Sequence, residues 1–174
     1  MQRIRVPLGF IFGAAFLYFS APTWTLIGIG CSIGFSGLLI RAWSAGHIRK
    51  NKELTTTGPY AWTRNPLYLG SFIMGAGLMV ASGVWWLGLA FAVLYLGIYL
   101  PVMRIEAREL TQLFGKQYER YAEEVPLFIP GLRRKNEGAS QFDPALYMKY
   151  REYQAAIGFA AVVGVLVLKA ILLK

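Results

Sequence analysis

The side chains best suited to chemistry lie in a polar loop at residues 57–70, with the sequence TGPYAWTRNPLYLG, which runs directly into an apolar segment. The loop brings the guanidinium of Arg64, the amide of Asn65 and several tyrosine hydroxyls to a boundary between polar and apolar sequence. Charge and irregular backbone are costly beside a bilayer unless they serve a purpose there. This loop is therefore the first candidate for a ligand site.

A carboxylate on an apolar helix face is the second candidate. Apolar side chains recur at spacings of three and four between residues 103 and 125, and they predict one helical stripe formed by Leu110, Leu113, Phe114, Tyr118 and Tyr121. At about 100° per residue, Glu106 falls inside that stripe. A buried carboxylate needs a ligand, backbone donors, or a structural ion pair with Arg64 or Arg104. Gly115 is expected to break or bend this helix.

Several kinds of site are excluded by the residues that the chain lacks. One histidine and one cysteine leave no metal-ligand spacing, and there is no phosphate-binding loop, GxGxxG or GxSxG motif. Cys31 lies inside an apolar run, where a small buried hydrophobe is expected. His47 has the one unperturbed pKa suited to accepting a proton near neutral pH, and its position also suits an interfacial residue that contributes to binding or folding.

Helices must position these residues, because the composition excludes an ordinary soluble domain. The 174-residue chain is 56% hydrophobic and 16% charged, and its mean hydropathy is +0.44. About five apolar runs are long enough to cross a hydrocarbon core of about 30 Å. They predict an all-α, polytopic membrane protein, organised as a single domain over residues 1–174, with spans near residues 4–21, 24–45, 66–82, 84–103 and 155–173.

The turns between spans predict how the helices are connected. Uncharged turns at residues 22–23 and 82–83 join the first four spans into two antiparallel hairpins. The polar segments at residues 46–65 and 104–154 therefore emerge at the same end and can meet. Small residues in the second and third spans favour close helix packing, among them Gly30, Gly34, Gly70, Gly75 and Gly77.

The net charge of +9 indicates topology more than a charged partner. Basic residues concentrate at the N-terminus and after the second and fourth spans, so the N-terminus and both polar segments are predicted to be cytoplasmic and the C-terminus to lie on the opposite side. No nucleic-acid partner is expected, and Arg133, Arg134 and Lys135 are expected to attract anionic headgroups of membrane lipids. Arg41 and Lys169, the charged exceptions near span ends, are explained by snorkelling.

Three sequence elements follow one another in order: AGHIRKNKEL at residues 45–54, GPY at 58–60 with RNPLY at 64–68, and Glu106 followed by FGKQY at 114–118 and Tyr121. Placed after hydrophobic hairpins, they resemble the isoprenylcysteine carboxyl methyltransferase and phospholipid methyltransferase group of integral membrane enzymes. The resemblance covers roughly residues 46–130. The first two spans and the last one match only as hydrophobic helices.

The resemblance implies a methyltransferase that uses S-adenosylmethionine as methyl donor. It implies Arg64 and Glu106 as the catalytic residues. The cofactor-binding residues that it implies are His47, Lys50, Leu54, Gly58, Pro59, Tyr60, Arg64, Asn65, Pro66, Tyr68, Gly70, Glu106 and Tyr118. Many members have histidine where this chain has Asn65, which can form hydrogen bonds but cannot shuttle a proton near neutral pH.

The chemistry of the cofactor agrees with these residue types. Arg64 can pair with its carboxylate, Glu106 with its amine or a ribose hydroxyl, and a tyrosine ring with its adenine or sulfonium. Asn65 and Pro66 are also expected to cap the third span. No general base is needed if the acceptor is already an anion, because positioning in a dry site supplies much of the acceleration.

The expected acceptor is lipophilic and enters from the bilayer, as an isoprenylcysteine-like carboxylate or another lipid-like small molecule would. Two alternatives remain. An NADPH-dependent lipid or sterol reductase has similar Arg-x-Pro-x-Tyr and FG-x-x-Tyr regions. A non-enzymatic helical scaffold or transporter subunit would instead line a path through the spans with polar residues, which this chain almost lacks.

Overall fold

The computed structural model describes residues 2–48, 53–131 and 142–172. Within these ranges the chain is helical and contains no β-strand, which confirms the predicted all-α class. The elements in order are α1 (Gln2–Phe19), α2 (Trp24–Ala45), a 3-10 turn (Gly58–Ala61), α3 (Pro66–Ser82), α4 (Trp85–Phe114), α5 (Lys116–Glu124), α6 (Pro144–Lys149) and α7 (Tyr153–Leu172).

Three of the helices are long and apolar enough to cross a membrane, namely α2, α4 and α7. The predicted spans at residues 4–21 and 66–82 correspond to shorter apolar helices, of which the second is α3. The protein is therefore a polytopic integral membrane protein. Among the described residues three helices meet this criterion where five spans were predicted, and two shorter apolar helices pack among them.

Helix α4 is longer than the sequence predicted. Residues 84–103 were expected to form a span that a separate helical segment follows, but one helix of 30 residues continues past Pro101 to Phe114. At 1.5 Å per residue it is about 45 Å long, which exceeds the hydrocarbon core. It ends, as expected, at Gly115, whose φ of 52° favours glycine. The turns that carry Glu106 are thus a rigid extension of a span.

Helices α2 and α3 pack with their backbones in contact. A Cβ placed on Gly77 of α3 would lie 2.5 Å from the carbonyl oxygen of Gly30 and 2.8 Å from the Cα of Gly34. A Cβ on Gly70 would lie 2.7 Å from the carbonyl oxygen of Gly37. These contacts confirm the close packing predicted from the glycines. Spans gain little hydrophobic energy from one another in lipid, so such van der Waals contact holds them together.

The two hairpin turns meet at one end of the helix bundle. The backbone N–H of Ala21 donates to the carbonyl of Ser82 at 2.7 Å. There the ammonium of Lys169 on α7 donates to the carbonyls of Leu17 and Tyr18 at 2.7 and 2.9 Å. Lys169 thus caps the last turn of α1 through exposed hydrogen bonds, which are compatible with the snorkelling expected for it. The buried core at this end consists of Phe16, Ile27, Met79, Ala81, Leu87, Leu166 and Ala170.

We expect Gly77→Ala to destabilise the protein, because its new methyl group would overlap the backbone of α2. Overpacking of this kind costs about 1–3 kcal/mol. The matched control is Gly28→Ala on α2, where a Cβ would meet nothing within 4 Å; it should be neutral or slightly stabilising, since alanine favours helix. Thermal unfolding in detergent measures both. Equal midpoints for the two variants would contradict the described packing.

Candidate functional site

The two polar segments meet at the other end of the bundle, as predicted. The backbone N–H of Arg64 donates to the carbonyl of Pro126 at 2.9 Å. The hydroxyl of Thr63, which is buried, donates to the carbonyl of Phe128 at 2.9 Å. These bonds hold the loop before α3 against the non-helical residues 125–131. Polar groups of the loop thus donate to backbone carbonyls of residues 125–131, which would otherwise need other partners.

Asn65 takes part in the same contact and does not cap α3. Its side-chain amide donates to the carbonyl of Leu127 at 2.9 Å, and it makes no capping bond to the helix. The expected side-chain cap is therefore wrong, and the side-chain N–H of Asn65 bonds to the Leu127 carbonyl. Pro66 does occupy the start of α3 as predicted, where its missing N–H costs nothing.

A cavity of about 590 Å³ opens between the two segments. Its walls come from the end of α2, the residues that follow it, the 3-10 turn, the start of α3, the second half of α4 and α5. Sites for small molecules and cofactors typically have volumes of about 300–1,000 Å³. The predicted site residues that line the cavity are Leu54, Tyr60, Arg64, Asn65, Pro66, Tyr68, Glu106 and Tyr118.

Four of the remaining predicted residues lie outside the cavity wall, and one is not described. Lys50 is outside the described residues, and His47, Gly58, Pro59 and Gly70 do not line the cavity. His47 is buried, with its Nδ1 2.8 Å from the carbonyl oxygen of Trp43. Its ring packs so closely against Gly58, whose φ is 60°, that a Cβ there would lie 2.6 Å from the imidazole. The His47 ring therefore packs against the loop at Gly58, outside the cavity.

Arg64 reaches the cavity from the loop before α3. Its Nη1 donates to the hydroxyl of Tyr118 at 3.3 Å, and the guanidinium carbon lies 5.9 Å from the centre of that ring. Among the described residues, two buried polar atoms have no hydrogen-bond partner: Nε of Arg64 and the hydroxyl of Tyr60. Leaving a buried donor unpaired costs about 1–3 kcal/mol. Both residues line the cavity, so these two atoms mark it as a place for a ligand.

Burial raises the pKa values of two tyrosines in the cavity wall, Tyr60 and Tyr121. It raises the pKa of Tyr60 above the usual value, and nearby Tyr121 adds to the effect. Burial also raises the pKa of Tyr121, whose hydroxyl donates to the Tyr60 carbonyl at 2.7 Å. Both side chains are neutral hydrogen-bond donors at neutral pH.

Glu106 faces the same cavity from the extension of α4. Its Oε1 accepts a hydrogen bond from the hydroxyl of Tyr68 at 2.8 Å. No ion pair joins Glu106 to Arg64 or Arg104 in the part of the chain that the structure describes, so the structural ion pair is the wrong alternative. Arg64 and Glu106 line one cavity, which confirms that the two polar segments bring them together.

Sequence reasoning missed three charged residues in the cavity wall, Arg41, Glu53 and Glu109. Of these, Arg41 lies on α2. Its Nε and Nη2 donate to Oε2 of Glu152 at 3.1 and 2.6 Å, and its Nη1 donates to Ser71. The snorkelling explanation is therefore wrong, because the head of Arg41 is paired inside the protein. Its sequence signal was a charge placed before the end of a span, which by default indicates a functional site.

Further lining residues carried weaker signals. Glu109 lies three residues after Glu106 on α4, a spacing that puts both on one helix face. Tyr99 and Ser71 had no signal that set them apart from other residues in apolar spans. Leu113 lines the cavity but is exposed, so the predicted stripe is not buried along its whole length.

A family model described as phospholipid methyltransferase matches residues 11–117 of this chain. The match includes most of the cavity wall: the end of α2, the loop with Arg64, the start of α3 and the end of α4. The family therefore covers the part of the chain in which the two polar segments meet.

Curated relatives carry different names. The nickel-cobalt-cadmium resistance protein NccN of Alcaligenes xylosoxydans xylosoxydans is 37% identical over 66% of this chain and 53% of its own length. The protein-S-isoprenylcysteine O-methyltransferase of Schizosaccharomyces pombe is 28% identical over 73% of this chain and 56% of its own length. The methanethiol S-methyltransferase of Crocosphaera subtropica is 30% identical over 48% of this chain and 32% of its own length.

The chain thus spans about half the length, or less, of the curated relatives that it matches. No solved structure matches it significantly. The family match extends over more than half of the chain, from α1 to α5. This chain therefore belongs to the phospholipid methyltransferase family.

Proposed function

We propose that this protein is an S-adenosylmethionine-dependent methyltransferase that acts on a lipophilic acceptor at the cytoplasmic face of the membrane. The observation that carries the proposal is a single cavity, lined by Arg64 and Glu106, in which Nε of Arg64 and the hydroxyl of Tyr60 are buried without partners. Family membership supports methyl transfer over the reductase and scaffold alternatives.

The lining residues fit the chemistry of S-adenosylmethionine. The unpaired Nε of Arg64 can donate to the carboxylate of the cofactor, and Glu106 can accept from its amine or from a ribose hydroxyl. Tyr68, Tyr118 and Phe114 offer ring faces for the adenine or for the sulfonium cation. Glu53 and Glu109 add two further carboxylates to the lining, which favour a positively charged ligand.

When bound, the cofactor supplies an electrophilic methyl group: the acceptor's lone pair forms the new bond to carbon while the carbon–sulfur bond breaks and its electrons stay on sulfur. The protein's residues bind both partners in line and keep water out. Among the described lining residues there is no histidine, since His47 lies outside the cavity, and the raised pKa values of Tyr60 and Tyr121 keep both hydroxyls protonated.

This set of residues favours an acceptor that arrives already as an anion. One relative is named for O-methylation of a prenylated cysteine. A carboxylic acid has already lost its proton at neutral pH, so an acceptor of that kind requires no base within the cavity. For this chain the spans favour the lipophilic kind, which can enter sideways from the bilayer.

The first test is loss of cofactor binding on Arg64→Gln and on Glu106→Gln. Each removes one charge-assisted hydrogen bond, so we expect the Kd for S-adenosylmethionine to rise roughly 10- to 100-fold. Calorimetry in detergent measures the Kd. The matched controls are Arg108→Gln on α4 and Glu119→Gln on α5, two exposed residues outside the cavity, which should leave the Kd unchanged.

Equal affinity of the wild type and the two cavity variants would rule out this assignment of the cofactor site. Binding of NADPH and not S-adenosylmethionine by the wild type would instead favour the reductase. Thermal unfolding of each variant shows whether a lost affinity reflects a lost fold.

Tyr60→Phe should separate ligand binding from stability. The variant removes a buried hydroxyl that has no partner, so the ligand-free protein should unfold at the same or a higher temperature. Its Kd for S-adenosylmethionine should nevertheless rise by roughly five- to tenfold, if the hydroxyl serves the cofactor. Calorimetry and thermal unfolding provide the two readouts.

Tyr121→Phe is the matched control, because it removes a hydroxyl that does have a partner, the carbonyl of Tyr60 at 2.7 Å. It should lower the unfolding temperature. A Tyr60→Phe variant that is clearly less stable and binds the cofactor normally would show that the Tyr60 hydroxyl serves folding alone.

A further inference from the structure

Helix α4 contains a proline, Pro101, between its apolar part and the turns that carry Glu106. A proline inside a helix has no N–H to donate to the carbonyl four residues earlier, here that of Gly97, and its ring crowds that carbonyl. Gly97 adds backbone freedom because it has no side chain, and a Cβ there would meet nothing within 4 Å. The turn from Gly97 to Pro101 is therefore the weakest of the helix, yet α4 continues through it to Phe114.

Tyr68 of α3 is bonded to α4 on both sides of this weak turn. Before the turn, the hydroxyl of Tyr95 donates to the backbone carbonyl of Tyr68 at 2.8 Å. After the turn, Oε1 of Glu106 accepts from the hydroxyl of Tyr68 at 2.8 Å. Tyr95 and Glu106 are about 16 Å apart along the axis of α4. A single residue of the neighbouring helix thus bridges the weak turn.

Ring contacts hold the same place together. Tyr99, which lies within the weak turn, stacks on Tyr95 with ring centroids 4.3 Å apart and contacts the Tyr68 ring at 5.3 Å. Tyr95 is buried, and the rings of Phe72 and Phe91 each pack against it at 5.4 Å. Offset and tilted aromatic pairs of this kind attract one another beyond the area that they bury. Tyr68, Tyr95 and Tyr99 therefore form one unit, the tyrosine brace.

The brace is attached to a firm base. Tyr68 lies in the first turn of α3, and Gly70 two residues later approaches the backbone of α2 so closely that a Cβ there would lie 2.7 Å from the Gly37 carbonyl oxygen. Tyr68 and Glu106 line the cavity, whereas Tyr95 does not. Any effect of the Tyr95 hydroxyl on a bound ligand must therefore pass through Tyr68.

We propose that Tyr95 is a positioning residue for Glu106. By anchoring Tyr68, it stiffens α4 across Pro101 and keeps the Glu106 carboxylate at the place where it meets the ligand. The brace thus replaces the stiffness that the proline removes. The consequence for ligand binding rests on the proposed function, in which Glu106 binds S-adenosylmethionine. The stiffening of the helix itself does not depend on that function.

The first test is Tyr95→Phe, which removes one hydrogen bond outside the cavity. Hydrogen exchange of the backbone amides at residues 102–106 should become roughly three- to tenfold faster, because this part of α4 opens more often. The Kd for S-adenosylmethionine, measured by calorimetry in detergent, should rise roughly two- to fivefold, since part of the population then holds Glu106 out of place. Tyr18→Phe on α1, an exposed tyrosine at the opposite end of the bundle, is the matched control and should change neither quantity.

The second test combines Tyr95→Phe with Pro101→Ala. Alanine supplies the N–H that can donate to the Gly97 carbonyl, so α4 becomes stiff without the brace. In this background Tyr95→Phe should change neither the exchange at residues 102–106 nor the Kd for the cofactor. Pro7→Ala, which removes a proline inside α1, is the matched control and should not rescue Tyr95→Phe.

A hydrogen bond that serves only the stability of the fold gives a different pattern. Tyr95→Phe would then weaken cofactor binding equally with and without Pro101, or would speed exchange in α7 as much as at residues 102–106. Either result would overturn the proposal. Unchanged exchange at residues 102–106 would also overturn it, and faster exchange there with an unchanged Kd would show that the brace does not position Glu106 for the ligand.

The two proposals fail separately, because hydrogen exchange is measured without a ligand. A wild type and variants that show the expected exchange pattern, but do not bind S-adenosylmethionine, would overturn the proposed function and leave the brace across Pro101 standing. Binding of S-adenosylmethionine by the wild type together with an unchanged exchange pattern in Tyr95→Phe would overturn the brace and leave the proposed function standing.

Discussion

The contact between the backbones of α2 and α3 is the constraint on which the site depends. Gly30, Gly34 and Gly37 of one helix face Gly70 and Gly77 of the other, and no side chain separates them. Both helices carry site residues at the same end: Arg41 near the end of α2, and Tyr68 and Ser71 near the start of α3. Because the helices touch directly, the spacing of these side chains is set by van der Waals contact between two backbones, which adapt less than side chains do.

The wall of the cavity opposite α2 and α3 in sequence order is formed by α4, a helix of 30 residues. Since α4 runs unbroken from Trp85 to Phe114, Glu106 is carried beyond the apolar part of the span by a rigid rod. The chain then reverses at Gly115, and α5 returns Tyr118 and Tyr121 to the cavity, where they contact Arg64 and Tyr60. Arg64 from a loop and Glu106 from a helix thus line one cavity, and each forms a hydrogen bond with a tyrosine hydroxyl.

Much of this was predictable, because apolar periodicity and turn residues specify helices directly. The hairpins, the break at Gly115 and the meeting of the polar segments follow from local pattern, whereas the convergence of Arg64 and Glu106 was implied by the family resemblance. The pairing of Arg41 with Glu152 did not, since 111 residues separate them and neither has a periodic signal. Asn65 was also not found as a cap: its side-chain N–H donates to a distant carbonyl, that of Leu127, and its side chain makes no bond to the helix.

Helix α7 is held at both ends by charged side chains, through Glu152 to α2 and through Lys169 to α1. During synthesis α2 reaches the membrane before α7, so Arg41 lacks the Glu152 counter-ion until the chain that leads into α7 has been made. An unbalanced guanidinium within a bilayer is unfavourable. The links from α7 to α2 and α1 therefore form late in biogenesis, after both of those helices have entered the membrane.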